Sequence, residues 1–174
     1  MGALPLESEA PGRETATGGE VVMTIGPVHL RDATVHDAEA LARLAAQLGY
    51  PTEPAQMARR LQGLPMDATA VVVATAADKV IGWIHVHLYP TLLDDQAAEI
   101  LGFVVDEDWR SRGVGHMLIE GAEAWAKERG CTVLYVRTNV VRQRAHGFYL
   151  AHGFQKLKTS YTLVRSLSLG STEK

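Results

Sequence analysis

Apolar and polar positions along this chain follow two periods, and the switches between them mark out the elements. Leu41, Leu44, Ala45 and Leu48 recur at helical spacing in AEALARLAAQLGY, just after Asp37, and Gly49 stands where such a helix ends. A second helix is expected from Pro54 to Gly63, with Met57 and Leu61 on its apolar side. ATAVVVATA and VIGWIHVHLY are β-branched runs joined by Ala77, Asp78 and Lys79, which predicts a hairpin. Period two then puts Trp83, His85, His87 and Tyr89 on one face of the second run and Ile84, Val86 and Leu88 on the other. AAEILGFVVDED is apolar nearly throughout and reads as a strand buried on both faces. HMLIEGAEAWAKERG returns to helical spacing, with Leu118, Ala122 and Trp125 on one stripe and Gly130 past its end.

A short first strand is expected around Val28, Leu30 and Ala33. After the long helix come CTVLYVRT, a strand, and VVRQRAHGFYLAH, a helix closed by Gly153. FQKLKTSYTLV predicts one or two closing strands. The order is therefore βααβββαβαβ. Its central strand-helix-strand unit implies a right-handed crossover and a parallel pair, so the fold is an α/β domain with a mixed sheet. Residues 1–26 are rich in Gly, Glu, Thr, Ala and Pro without apolar period and read as a disordered tail, with Met23 a second possible start. The domain is expected over 27–168, followed by a short tail at 169–174.

A chain of 174 residues suits one domain. A formal net charge of -3 gives no basic excess, so no nucleic-acid partner is expected, and it favours a cationic substrate slightly. With Cys131 the only cysteine, no internal disulfide can form. No apolar run approaches the roughly 20 residues that span a bilayer, so no membrane partner is expected. No basic segment followed by an apolar one opens the chain, and Leu6 stands where a myristoylation signal needs Ser or Thr. The expected location is cytoplasmic.

The chemistry concentrates in Arg110, Ser111, Arg112, Gly113, Val114 and Gly115, between a buried strand and an amphipathic helix. The first turn of a helix offers free N–H groups and the positive end of its dipole. Glycines there let a phosphate approach the backbone, and the two arginines add charge. The ligand should carry a pyrophosphate. A P-loop needs Gly-Lys-Ser/Thr, but His116 and Met117 follow Gly115. A dinucleotide fingerprint needs a third glycine where Leu118 stands. Coenzyme A remains.

Arg110-x-x-Gly113-x-Gly115 resembles the coenzyme A signature of the GNAT N-acetyltransferase family. AAEILGFVVDEDW is similar to that family's fourth strand, and Asn139, Tyr149 and Gly153-Phe154 resemble its final motif. The likeness covers roughly residues 28–165. It implies a mixed sheet whose central parallel βαβ unit splays around acetyl-CoA, and an enzyme that moves acetyl onto a primary amine. By position, the main chain of Phe103, Val104 and Val105 would pair with the pantetheine arm, and one of its N–H groups would bind the thioester oxygen. Arg110 to His116 would hold the pyrophosphate, and Asn139 would touch the cofactor. Tyr149 would protonate the departing thiolate. Glu99 falls where some members keep a general base, whereas others deprotonate the amine through water.

Blander readings stand beside these. Tyr149 fits a core tyrosine, and Glu99 a solvated carboxylate at a strand end. Trp83, His85, His87 and Tyr89 are candidates for lining a substrate pocket; no third ligand at diagnostic spacing turns the histidines into a metal site, and none is expected. Asp106, Glu107 and Asp108 read as a solvated loop. The favoured acceptor is a small-molecule amine, and a protein N-terminus or lysine is the alternative. A coenzyme A-binding sensor without catalysis is a second one, disfavoured by Glu99 and Tyr149 together. The resemblance allows a homodimer, but the sequence does not fix the oligomeric state.

Overall fold

The structure, a computed structural model, describes residues 27–90, 92 and 96–167. The tails expected at 1–26 and 169–174 lie outside these residues. One five-stranded sheet organises the chain in the order β1 (His29–Asp32), β2 (Thr69–Ala76), β3 (Lys79–Tyr89), β4 (Ala97–Val105) and β5 (Val133–Val136). The first four strands pair antiparallel, and β5 lies parallel to β4. Helix α3 (Val114–Glu128) makes the crossover between β4 and β5, as the strand-helix-strand pattern requires. The hairpin forms where Ala77 and Asp78 both take positive φ, 46° and 62°, the primed turn that suits strand twist.

The helices divide between the two faces of the sheet. Buried Val114, Leu118, Ile119, Ala122 and Ala126 of α3 pack with Ile81, Ile84, Val86, Ala98 and Ile100. Tyr149, on α4 (Gln143–Ala151), joins that face. On the other face, Leu41 and Leu44 of α1 (Ala38–Gln47) cover Val73, Val80 and Val104. Met57 and Leu61 of α2 (Pro54–Gln62) and Trp83 pack against them. The period-two reading of β3 holds: Ile84 and Val86 are fully buried on the α3 face, and Trp83 turns to the α1 face.

One residue breaks the regularity of β4. His85 pairs with Gly102 and Val86 with Ile100, so Leu101 is left over as a β-bulge. The faces of β4 exchange there. Ala98 and Ile100 point to α3, whereas beyond the bulge Phe103 and Val105 do so and Val104 turns to α1. Pairing with β5 runs only from Ala97↔Val133 to Ile100↔Val136. From Leu101 onward no strand among the described residues pairs with the β5 side of β4, so the parallel pair ends in a fork there.

The closing strand expected from FQKLKTSYTLV is not formed. Residues 155–167 carry no regular structure, and all are exposed. Their apolar side chains find no sheet surface within the domain, and a strand cannot form without a neighbour to accept its hydrogen bonds.

Candidate functional site

The turn before α3 is built as the glycine spacing suggested, with a division of labour that the spacing hides. Ser111 and Gly113 both hold positive φ, 62° and 82°. None of the main-chain N–H groups from Ser111 to His116 finds an acceptor among the described residues. They form an unpaired cluster at the positive end of a helix, which suits an anion. Gly113 has open space where a Cβ would stand, so its backbone angle is the reason for glycine there. Gly115 differs. A Cβ on it would meet the Phe148 ring at 3.0 Å and Phe103 at 3.3 Å, so close packing against aromatic rings also requires glycine.

The two arginines split as well. Arg110 donates Nε to the Val105 carbonyl at 3.1 Å and Nη2 to Gln47 at 3.4 Å, bracing the turn against β4 and α1. Arg112 lies over the Trp109 ring at 5.5 Å. His116 is exposed and reaches Glu120 at 3.4 Å. Asn139 accepts the Val141 N–H on its own side-chain oxygen at 3.1 Å, which shapes the entry to α4.

The fork gathers side chains from three elements. The Phe103 ring on β4 stacks on Phe148 of α4, with centroids 5.3 Å apart, and Tyr149 lies 6.2 Å from Phe103. Tyr149 is buried, and burial pushes its hydroxyl up to about 12, with Arg142 pulling the other way. It therefore keeps its proton across the physiological range.

Glu99 stands on the opposite face, since its β4 neighbours Ala98 and Ile100 both point to α3. The carboxylate is buried, which overturns the solvated reading, and it is not alone. Arg137, just past the end of β5, donates Nη1 to both Glu99 oxygens at 2.5 and 2.6 Å. Its Nη2 donates to the Tyr89 hydroxyl at 3.1 Å, and its guanidinium lies 5.2 Å from the centre of that ring. The Arg137 side chain is 63% exposed, so solvent reaches the pair from one side. Tyr135 meets Tyr89 edge-on at 6.2 Å. Arg137 was not singled out from the sequence. The signal was available, because a carboxylate inside an apolar strand needs a cation and Arg137 ends the neighbouring parallel strand.

The histidines of β3 differ from each other. Thr69 donates its hydroxyl to the Val86 carbonyl at 2.8 Å, so it can only accept from His85 Nε2, 3.0 Å away. That fixes the proton on His85 Nε2. Burial, and then His87, lower the His85 pKa, so the ring is neutral. His87 Nε2 lies 4.0 Å from Glu99 and has no hydrogen-bond partner among the described residues, and Trp83 Nε1 is likewise buried without one there. The Trp83 ring lies over Gly102, where a Cβ would come within 2.6 Å of it.

Two further expectations change. Asp106 is buried, accepts from Arg43 at 2.5 Å and caps Asp108, so the acidic cluster is not simply a solvated loop. Cys131 is buried, and burial raises its thiol pKa, with Arg129 opposing; it is a poor nucleophile. Among the described residues no group of three or more His, Cys, Asp or Glu is placed to hold a metal ion, and no helix is long and apolar enough to cross a membrane.

Residues 36–154 match the model of the acetyltransferase (GNAT) family. The chain belongs to that family. It is an N-acetyltransferase with acetyl-CoA as cofactor, and it carries acetyl to amines. The chain is 30% identical over 132 residues to an aminoglycoside N(6')-acetyltransferase type 1 of Stenotrophomonas maltophilia, covering 73% of this chain and 86% of that one. Among solved structures, one described as a transcriptional regulator from Bacillus halodurans superposes with a TM-score of 0.73 at 25% identity, over 80% of this chain and all of that one. AAC(6')-Iy in complex with the bisubstrate analogue CoA-S-monomethyl-acetylneamine superposes with a TM-score of 0.70 at 22% identity, over 82% of this chain and 100% of that one, which is a likeness of fold. The mixed sheet and the parallel unit read from the sequence agree with this GNAT assignment.

Proposed function

We propose that the acceptor is the primary amine of a small molecule carrying more than one cationic group, and that transfer is direct, at the fork between β4 and β5. The observation that carries this reading is the Glu99 pocket. A buried carboxylate with aromatic Tyr89 and Tyr135 nearby and an unpartnered His87 nitrogen beside it suits an ammonium ion. Arg137 fills that seat in the absence of acceptor, and an incoming ammonium takes its place while the exposed guanidinium swings to solvent. The relative named for aminoglycoside acetylation supports a small polyamine over a protein terminus.

Acetyl-CoA supplies an acetyl group activated as a thioester. The unpaired N–H groups of Ser111 to His116 hold the pyrophosphate, with Arg112 beside it, and Asn139 contacts the cofactor from the α4 entry. The open edge of β4 at Phe103, Val104 and Val105 holds the extended arm, and one of its N–H groups donates to the carbonyl oxygen. Glu99 accepts the ammonium proton at a carboxylate oxygen. Tyr149 holds a proton at its hydroxyl for the departing sulfur. His85 and Trp83 line the acceptor side and position it.

The test is a thiol-release assay over a panel of aminoglycosides, linear polyamines, amino acids and peptides with free N-termini or lysines. A multiply charged small amine should exceed every peptide by at least about tenfold in kcat/KM, the factor given by roughly 1.4 kcal/mol of selective binding. A peptide amine as the best substrate would overturn the reading.

A further inference from the structure

Arg142 joins the two faces of the sheet at the open end of the fork. It stands at the entry to α4, after β5 ends at Val136, and donates Nη2 to the Leu48 carbonyl at 2.8 Å. Leu48 closes α1, which covers the face opposite α3. Its neighbour Gln47 accepts from the Glu107 N–H at 3.1 Å and from Arg110 at 3.4 Å, both just past the end of β4. The end of α1 therefore touches the segments that follow both strands of the fork. The last carbonyls of a helix carry the negative end of its dipole, which suits an arginine arriving from either side.

The same guanidinium has a second neighbour. Tyr149 follows Arg142 by two turns of α4 and so lies on the same side of that helix. Helical side chains lean toward the N-terminal end, which carries the hydroxyl toward Arg142. The bond to Leu48 is made to a neutral carbonyl, so it fixes the guanidinium and leaves its positive charge in place. A buried phenol that gives up its proton becomes a buried anion, and that costs heavily unless a cation stands near. Burial pushes the Tyr149 hydroxyl up to about 12, and the Arg142 charge pulls it the other way.

We infer that Arg142 is a positioning residue for thiolate departure: tied to Leu48 across the fork, it holds a positive charge beside the Tyr149 hydroxyl and stabilises the phenolate left when that proton passes to sulfur. The C–S bond breaks with its electron pair going to sulfur. The Tyr149 proton follows to the sulfur, and water then returns a proton to the phenolate. The inference rests on the reading of Tyr149 as the proton donor and is independent of which amine is the acceptor.

The test is a cycle of Arg142→Gln and Tyr149→Phe, single and combined. Acetyl transfer to neamine is followed, with hydrolysis of acetyl-CoA as a second readout, because both expel the same thiolate. Arg142→Gln should lower kcat by about threefold to tenfold, the effect of one partly screened charge, with the coenzyme A Kd within about twofold of the parent. Arg142→Lys should restore most of the loss, because it returns the charge. In the Tyr149→Phe background, Arg142→Gln should cost less than about twofold, because the hydroxyl that it serves is gone. A merely structural role would lower both backgrounds alike, and lysine would not rescue it. A full further loss on top of Tyr149→Phe, or a parental kcat in Arg142→Gln, would overturn the proposal. A parental kcat in Tyr149→Phe would instead overturn the reading of Tyr149 as donor, and the role of Arg142 with it.

Discussion

Glu99 and Tyr149 approach the fork from opposite faces of the sheet: Glu99 points away from α3, whereas Tyr149 packs with it. In the proposed mechanism, a proton taken from the acceptor on one face and a proton given to sulfur on the other need not pass between the two residues. On that mechanism the two variants should fail differently.

Tyr149→Phe keeps the ring against Phe103, Phe148 and Phe154 and removes only the donor. General acid catalysis is typically worth roughly 100-fold to 10,000-fold. We expect kcat to fall by about that factor with coenzyme A affinity unchanged. Because burial pushes this hydroxyl up to about 12, the parent should show no loss of activity from Tyr149 as pH rises to 10. A kcat within about twofold of the parent would assign the proton to another donor.

Glu99→Gln should lower kcat/KM most at low pH, and raising the pH should restore part of it, since an alkylamine with a pKa near ~10.4 then sheds its own proton. The measurement is a pH-rate profile of both proteins with the best acceptor. An equal loss at every pH would make Glu99 a binding residue.

Arg137→Gln leaves a buried carboxylate without its cation. The loss of one partner of such a pair costs about 1–3 kcal/mol, at the low end here because the guanidinium is largely exposed. The Tm should fall by a few degrees. The acceptor KM should fall as well, because the ammonium no longer competes with Arg137. A raised KM would show that the guanidinium helps to hold the acceptor.

Asp37 gives a prediction in acid. Its carboxylate accepts both Arg31 nitrogens at 2.7 Å and the Thr34 N–H at 2.7 Å, and these hold its pKa at about 2 against an ordinary 3.8. A depressed carboxylate stabilises the fold above its unfolded pKa and loses that effect as pH falls through the folded one. Asp37→Asn should therefore lower the Tm at pH 7, by an effect of roughly 1–2 kcal/mol. The gap between the two proteins should close between about pH 4 and pH 2. A gap that stays constant over that range would assign the effect to packing.

Gly102→Ala places a methyl group 2.6 Å from the Trp83 ring. We expect a loss of roughly 1–3 kcal/mol from overpacking, together with a changed Trp fluorescence, because the indole must move. Unchanged fluorescence would mean that β4 shifts instead.

Most of the architecture was legible because helices and buried strands announce themselves by period. The faces of β3 and the stripe on α3 followed from spacing alone. The turn at Arg110 to Gly115 was legible as a glycine turn that opens a helix, yet the bracing role of Arg110 and the packing role of Gly115 depend on Gln47, Phe103 and Phe148, all distant in sequence. The Glu99–Arg137 pair was hidden for the same reason: 38 residues separate its members, and only the parallel register of β4 and β5 brings them together. The closing strand was misread because strand propensity states what a segment can do, while pairing depends on an edge that the segment must reach.

The bulge at Leu101 has a consequence for how this protein tolerates change. The side chain there is half exposed, so replacing it should matter little; the number of residues is what counts. Removing Leu101 would let Gly102 follow Ile100 in a regular ladder, keeping Phe103 and Val105 on the α3 face but losing the local bend; removing a residue beyond the bulge would turn them over instead. The bend in β4 is thus written in the length of a strand, and the mutations that abolish it are deletions along β4 rather than exchanges of one amino acid for another.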